Sequence, residues 1–189
     1  MATAVLEKLL TAEEFRRLPD DGHRKELKRG RVIPMNVPAP RHGEICVQTV
    51  YLLRRHLDDY PLGRVVCNDS GVVTERDPDT VRGSDVAFYS FKRVPPGPLP
   101  QGYLTVVPEL VFEVRSPSDR WGQILAKVSE YLEAGVSVVC VLDQMTERCH
   151  VYRNDEESQV FPSDRELLLP DILPEFRVAV GRFFEGAKG

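Results

Sequence analysis

Two almost wholly apolar runs bracket a stretch of helical periodicity, and that order constrains the fold more than any other feature of the chain. The runs are Leu110-Val-Phe-Glu-Val114 and Val136-Ser-Val-Val-Cys-Val-Leu142. Runs this short and this apolar read as strands covered on both faces. Between them Ile124, Leu125, Val128, Tyr131 and Leu132 recur at i, i+1, i+4, i+7 and i+8, one face of a helix, with Ser118 as its expected cap and Gly135 as its stop. Strand, crossover helix and strand in sequence give a parallel pair. The class is α/β (α+β).

The flanking segments add smaller elements. Thr11-Ala-Glu-Glu14 has the form of a capping box, so a short helix is expected over 11–18. Glu26-Leu27 and Val32-Ile33 read as a hairpin around Gly30, followed by a proline-rich loop. An amphipathic helix is expected over 42–57, carrying Ile45, Thr49, Leu52, Leu53 and His56 on one face. Short strands are expected at 65–67, 71–73, 84–89 and 149–152, an edge strand at 176–180, and a covering turn at Phe183-Phe184. With no internal repeat, residues 1–189 are read as a single domain, a usual length for one.

Composition removes some function classes. The longest unbroken apolar run, Val138 to Leu142, falls far short of the roughly 20 residues a membrane helix needs. The opening residues Met-Ala-Thr-Ala-Val-Leu-Glu-Lys lack a basic start, an apolar stretch and a cleavage site, so a cytoplasmic protein is expected. A net charge of −4 argues against coating nucleic acid through bulk positive charge, though not against a local basic face. Cys46, Cys67, Cys140 and Cys149 have no zinc-finger spacing and are expected to be buried free thiols.

The chemistry starts from an anomaly in the first run. Glu113 interrupts a buried strand, where an unpaired ionised carboxylate costs several kcal/mol or takes up a proton. Asp85 sits similarly at the start of Asp-Val-Ala-Phe. Two such carboxylates on adjacent strands repel each other unless a cation lies between them, and a hard, oxygen-seeking Mg²⁺ or Mn²⁺ answers that need. Lys127 lies about 100° from the centre of the helix's apolar stripe, so it borders the buried face and can reach the end of a sheet. Spacing alone leaves alternatives open: Glu113 paired with a buried arginine, Asp85 as a strand-start carboxylate, Lys127 as a solvated helix lysine. His42 reads as a cap or packing residue. His23, His56 and His150 form no triad pattern, and no glycine-rich phosphate loop is present.

A longer series runs in order over residues 8–185: Thr11-Ala-Glu-Glu-Phe15, Glu26-Leu with Gly30, His42-Gly43, Ser84-Asp85-Val-Ala-Phe88, Pro108-Glu-Leu-Val-Phe-Glu113-Val-Arg-Ser-Pro-Ser118, Lys127 with Tyr131, Ala134-Gly-Val136 and Asp143. It resembles the Uma-two family of restriction-endonuclease-like nucleases in the PD-(D/E)XK superfamily. The resemblance implies a mixed central sheet flanked by helices, with an extra N-terminal hairpin and C-terminal strands. It further implies catalytic Asp85, Glu113, Lys127 and Glu26, with Asp85 and Glu113 as ligands of Mg²⁺ or Mn²⁺. The activity implied is endonuclease hydrolysis of nucleic acid, DNA favoured, by a metal-activated water; a homodimer is expected because two strands ask for two centres. The other reading is a catalytically silent module that binds nucleic acid or a protein partner. The chain departs from the family at Ser84, where proline is usual, at Lys28-Arg29, where Ile-Asp is usual, and at Cys140, where an aromatic is common. Lys28 and Arg29 are expected to tie Glu26 into a surface ion pair. Arg115, in the older lysine position, cannot act as a base but can offset charge.

Overall fold

The computed structural model describes residues 8–186. The opening residues that bear on secretion lie, Lys8 excepted, outside the described residues.

The apolar runs form β5 (Leu110–Arg115) and β6 (Val138–Asp143), paired in parallel and joined by α3 (Trp121–Glu133). The rest of the main sheet is antiparallel. It includes the hairpin β1 (Lys25–Lys28) and β2 (Arg31–Pro34), then β3 (Gly63–Glu75), β4 (Thr80–Ser90), β7 (Arg148–Tyr152) and β8 (Gln159–Phe161). The eight strands run β2-β1-β4-β5-β6-β7-β8, with β3 on β4. Two further strands, β9 (Glu166–Leu169) and β10 (Leu173–Ala179), pair only with each other. The expected edge strand at the C-terminus therefore builds a small second sheet.

Each face of the main sheet carries a helix. Ile45, Leu52, Leu53 and Leu57 of α2 (Pro40–Asp59) pack with Val86, Phe112 and Leu142, and Phe183 and Phe184 of the 3₁₀ helix Val180–Phe184 close the same cluster. Ile124, Val128 and Tyr131 of α3 cover the opposite face with Ala87, Val111 and Val139. No helix among the described residues is long and apolar enough to cross a membrane.

β4 is the strand around which the acidic residues are arranged. β3 follows one of its edges along the whole length, from Thr80 to Ser90. The other edge is shared, by β1 at Val81 and by β5 over Val86–Phe88. Between those pairings, Arg82 to Asp85 face a gap in the sheet.

Local chemistry explains most boundaries. In the hairpin, Arg29 and Gly30 take φ of 48° and 76°, the double left-handed turn that a two-residue connection favours. A Cβ on Gly30 would stand 2.6 Å from Leu9 Cβ, so glycine is required twice over. Instead of two short strands at 65–67 and 71–73 there is one strand of 13 residues, because Asn68 and Asp69 absorb a bulge with φ of 66° and 52°. α1 (Ala12–Arg16) has the expected capping box. α3 begins after Arg120 with no side-chain cap, so Ser118 does not serve; Asp119 turns its carboxylate to the Ser116 N–H instead. All four cysteines are free, but only Cys140 and Cys149 are buried; Cys46 is half-buried and Cys67 exposed.

Candidate active site

Glu113 and Asp85 come together through strand register. β4 and β5 pair Val86 with Phe112, and one step further along both strands are Asp85 and Glu113. Side chains alternate along a strand, so both carboxylates share the face of Ala87 and Val111, which α3 covers. Lys127 and Tyr131, one turn apart on α3, meet Glu113 there. Lys127 Nζ lies 2.8 Å from Glu113 Oε2, and the Tyr131 hydroxyl donates to Oε1 at 3.0 Å. Lys127 also donates to the Gly83 carbonyl at 2.7 Å.

Glu26 completes the cluster from β1. It is buried, not tied into a surface ion pair by Lys28 and Arg29 as expected: Lys28 shares its face of β1 but reaches Glu130 at 3.5 Å, and Arg29 lies in the turn beyond the strand. Its Oε1 accepts the Gly83 N–H at 3.0 Å and stands 3.4 Å from Lys127 Nζ; its Oε2 accepts from Arg82 Nη1 at 2.7 Å. Arg82 reaches on to Glu130 of α3 through Nε at 2.5 Å and Nη2 at 2.8 Å. The gap in the sheet is thus filled by side chains. Both backbone groups of Gly83, which a neighbouring strand would otherwise engage, are satisfied by Glu26 and Lys127.

Asp85 is held separately. Its Oδ2 accepts the Val114 N–H at 2.7 Å and lies 3.2 Å from His42 Nε2, while His42 Nδ1 contacts Cys46 Sγ at 3.6 Å. Burial pushes the Asp85 carboxyl up, but the His42 hydrogen bond and the charges of Lys127 and His42 outweigh it and hold the group below its ordinary value. Burial would lower His42, yet Asp85 and Glu113 carry it above its usual range. Glu113 behaves differently: burial pushes it up to about 7, with Asp85 adding to the rise despite Lys127 and Tyr131. Burial disfavours the Lys127 ammonium, but Glu113, Glu26 and Asp85 override that and lift its pKa well above the usual lysine range.

Glu26, His42, Arg82, Asp85, Glu113 and Lys127 line a cleft of about 760 Å³. Arg24, Lys25 and Lys28 stand along it, as do the apolar Ile33 of β2 and Met35 and Val37 of the loop into α2. The structure therefore brings Asp85, Glu113, Lys127 and Glu26 into one place. It adds His42, Arg82 and Tyr131, which sequence reasoning missed. His42 opens a helix, where capping is the common role. Tyr131 fits the apolar stripe, which hides its hydroxyl. Arg82 lies ahead of the strand expected at 84–89, and β4 takes it in only because the strand starts at Thr80. A buried arginine is present, but its partners are Glu26 and Glu130, not Glu113. Arg115 pairs with Asp143 at 2.9 Å instead of facing the carboxylates.

A mixed central sheet flanked by helices is the fold expected of a restriction-endonuclease-like nuclease. The Uma2 family, described as "Putative restriction endonuclease", matches residues 12–181, and the chain belongs to that family. Its fold is similar to a crystal structure described as "a putative nuclease belonging to DUF820" from Anabaena variabilis. That chain is 19% identical, with a TM-score of 0.77 over 93% of this chain and 97% of the other. No curated protein matches the sequence significantly.

Proposed function

We propose that this protein is an endonuclease that hydrolyses nucleic-acid phosphodiester bonds, DNA in preference to RNA, using Mg²⁺ or Mn²⁺ held by Asp85 and Glu113. The observation that carries the reading is the meeting of Asp85 and Glu113, one register step beyond a strand pair, with the Lys127 ammonium 2.8 Å from Glu113. Preference for DNA follows from the family's description in terms of restriction endonucleases, and for a duplex we propose a homodimer with one centre per strand.

The residues fit a hard cation. The donors are carboxylates, and Glu113 resists ionisation up to about 7 even beside an ammonium. A site that still disfavours negative charge after its lysine is counted has room for more positive charge. When bound, the ion would polarise a phosphoryl oxygen and lower the pKa of a water.

The chain's own groups have distinct tasks. His42 and the Val114 N–H fix one oxygen of Asp85, leaving Oδ1 for a ligand. Tyr131 orients Glu113. Lys127 holds its proton too firmly to serve as a base, so it acts as a fixed positive charge that stabilises the charge developing on the phosphate. Glu26, itself fixed by Arg82 and Gly83, keeps that ammonium charged and in place. Arg24, Lys25 and Lys28 supply contacts to the nucleic-acid backbone.

The test is cleavage of supercoiled, linear and single-stranded DNA and of RNA with Mn²⁺, alongside calorimetric Mn²⁺ titration. Cleavage present in the wild type and lost in Asp85→Ala and Glu113→Ala is expected. No cleavage above the Asp85→Ala background would refute catalysis. If Mn²⁺ binding were also unchanged in Glu113→Ala, the chain would be a silent binding module.

A further inference from the structure

Asp85 has a second set of ligating neighbours besides Glu113. His42 and Cys46 stand one turn apart near the start of α2. One ligand atom from each of His42, Cys46 and Asp85 lies within 4.8 Å of the others, and among the described residues no second trio of this kind converges. Two of the closest approaches are 3.2 Å, from His42 Nε2 to Asp85, and 3.6 Å, from His42 Nδ1 to Cys46 Sγ. In a four-coordinate site with bonds of about 2.0–2.3 Å, ligand atoms stand roughly 3.2–3.8 Å apart. Those two approaches use different ring nitrogens, so the trio with a single His42 nitrogen starts from the 4.8 Å limit, and side-chain rotations that close it by about 1 Å reach that spacing, with a fourth position for water.

The donor set decides which ion. Imidazole, thiolate and a single carboxylate select a borderline-soft cation of the Zn²⁺ class, whereas Asp85 with Glu113 offers only the hard oxygens that suit Mg²⁺ or Mn²⁺. We infer that His42, Cys46 and Asp85 form a second, thiophilic metal site, and that a Zn²⁺-class ion bound there takes Asp85 away from the hard-cation site and inhibits the enzyme. On binding, the Cys46 S–H gives its proton to solvent and the sulfur binds as thiolate. The inhibition rests on the proposed nuclease function; the site itself does not.

Cobalt(II) is the probe, added to metal-free protein under a non-chelating reductant and followed by absorbance. A thiolate-to-cobalt charge-transfer band is expected in the wild type, in Glu113→Gln and in Cys67→Ser, bleached by Zn²⁺ and absent from Cys46→Ser. His42→Gln, a second variant in case Cys46→Ser fails to fold, should weaken cobalt binding by about tenfold or more. No band in the wild type, or a band that survives in Cys46→Ser, overturns the site. In Mn²⁺-supported cleavage, Cys46→Ser should need about tenfold or more Zn²⁺ for half-inhibition; equal sensitivity overturns the inhibitory role. Should the protein cleave no nucleic acid, the Cys46-dependent band still decides the site, so the two readings fail separately.

Discussion

Arg82 is the residue whose removal most directly tests how the gap in the sheet is held together. Its guanidinium makes one bond to Glu26 at 2.7 Å and two to Glu130 at 2.5 and 2.8 Å. The Arg82 and Glu26 side chains are 9% and 4% exposed, and Glu130 is 24% exposed. Arg82→Met keeps the volume and takes the guanidinium from both carboxylates, leaving Glu26 with the Gly83 N–H and Lys127, and Glu130 with Lys28. Removing one partner of a buried pair costs about 3–5 kcal/mol. Glu130 can turn partly to water, so the low end, about 3 kcal/mol, applies here. With a urea dependence of about 2–3 kcal/mol per molar, the midpoint should fall by roughly 1–1.5 M. Arg82→Lys should recover less than half, because a point charge cannot replace a fork that spans two carboxylates. The pH dependence adds a second reading. Burial pushes Glu130 up, but Arg82 outweighs it and holds the group below its ordinary 4.5. A carboxylate with a lowered folded-state pKa contributes stability above its unfolded value and loses it as pH falls through the folded one. The gap between wild type and Arg82→Met should therefore be full at neutral pH and narrow as pH falls below 4.5. A loss under about 1 kcal/mol at neutral pH, or a gap that does not change in acid, would refute this account.

Other expectations rest on single features. Glu113, pushed up to about 7 chiefly by burial, is protonated below that pH. Mn²⁺ must then displace the proton, so its affinity by calorimetry should fall about tenfold per pH unit below about 7 and level off above it; a flat profile would count against Glu113 as a ligand. Tyr131→Phe removes the donor to Glu113 Oε1 at 3.0 Å and should lower stability by about 1–2 kcal/mol in urea melts. Lys127→Met should reduce cleavage by about 10²–10³-fold while leaving Mn²⁺ binding intact or tighter, since a competing cation is gone; cleavage at the wild-type rate would remove lysine from the mechanism. Gly30→Ala combines a φ of 76° with a contact of 2.6 Å to Leu9 Cβ, and should cost more than about 1 kcal/mol, read as a drop in melting temperature.

How far the fold is legible in the chain depends on whether a residue's environment is local. The parallel pair, the crossover helix and the hairpin turn follow from periodicity and from Gly30, and all are present. β3 reads as two pieces because its Asn68-Asp69 bulge looks like a turn when its partner strand is unknown. β8 escapes sequence reading since it gains its identity only by pairing with β7. Lys127 shows how a local reading can err in degree. Leu125 counts toward the apolar stripe, yet it is exposed, so the buried face is rotated toward Lys127 and the lysine sits deeper than its helical angle implies.

The environments of Glu26 and Arg82 lie beyond local reasoning for a common reason, which also explains where the site is. β4 exchanges one neighbour for another along a single edge, β1 at Val81 and β5 from Val86. Within a continuous sheet the polar groups of Gly83 would be taken by a strand, and no side chain could reach them. At the fork they must be met by side chains, and the same opening admits Lys127 from the helix above. The demand for hydrogen-bond partners at an interrupted edge therefore gathers Glu26, Lys127 and Arg82, while register brings Asp85 and Glu113 to its border. A substitution that closed the fork by extending the β1–β4 ladder past Val81 should dismantle the cluster without touching any of its charged residues.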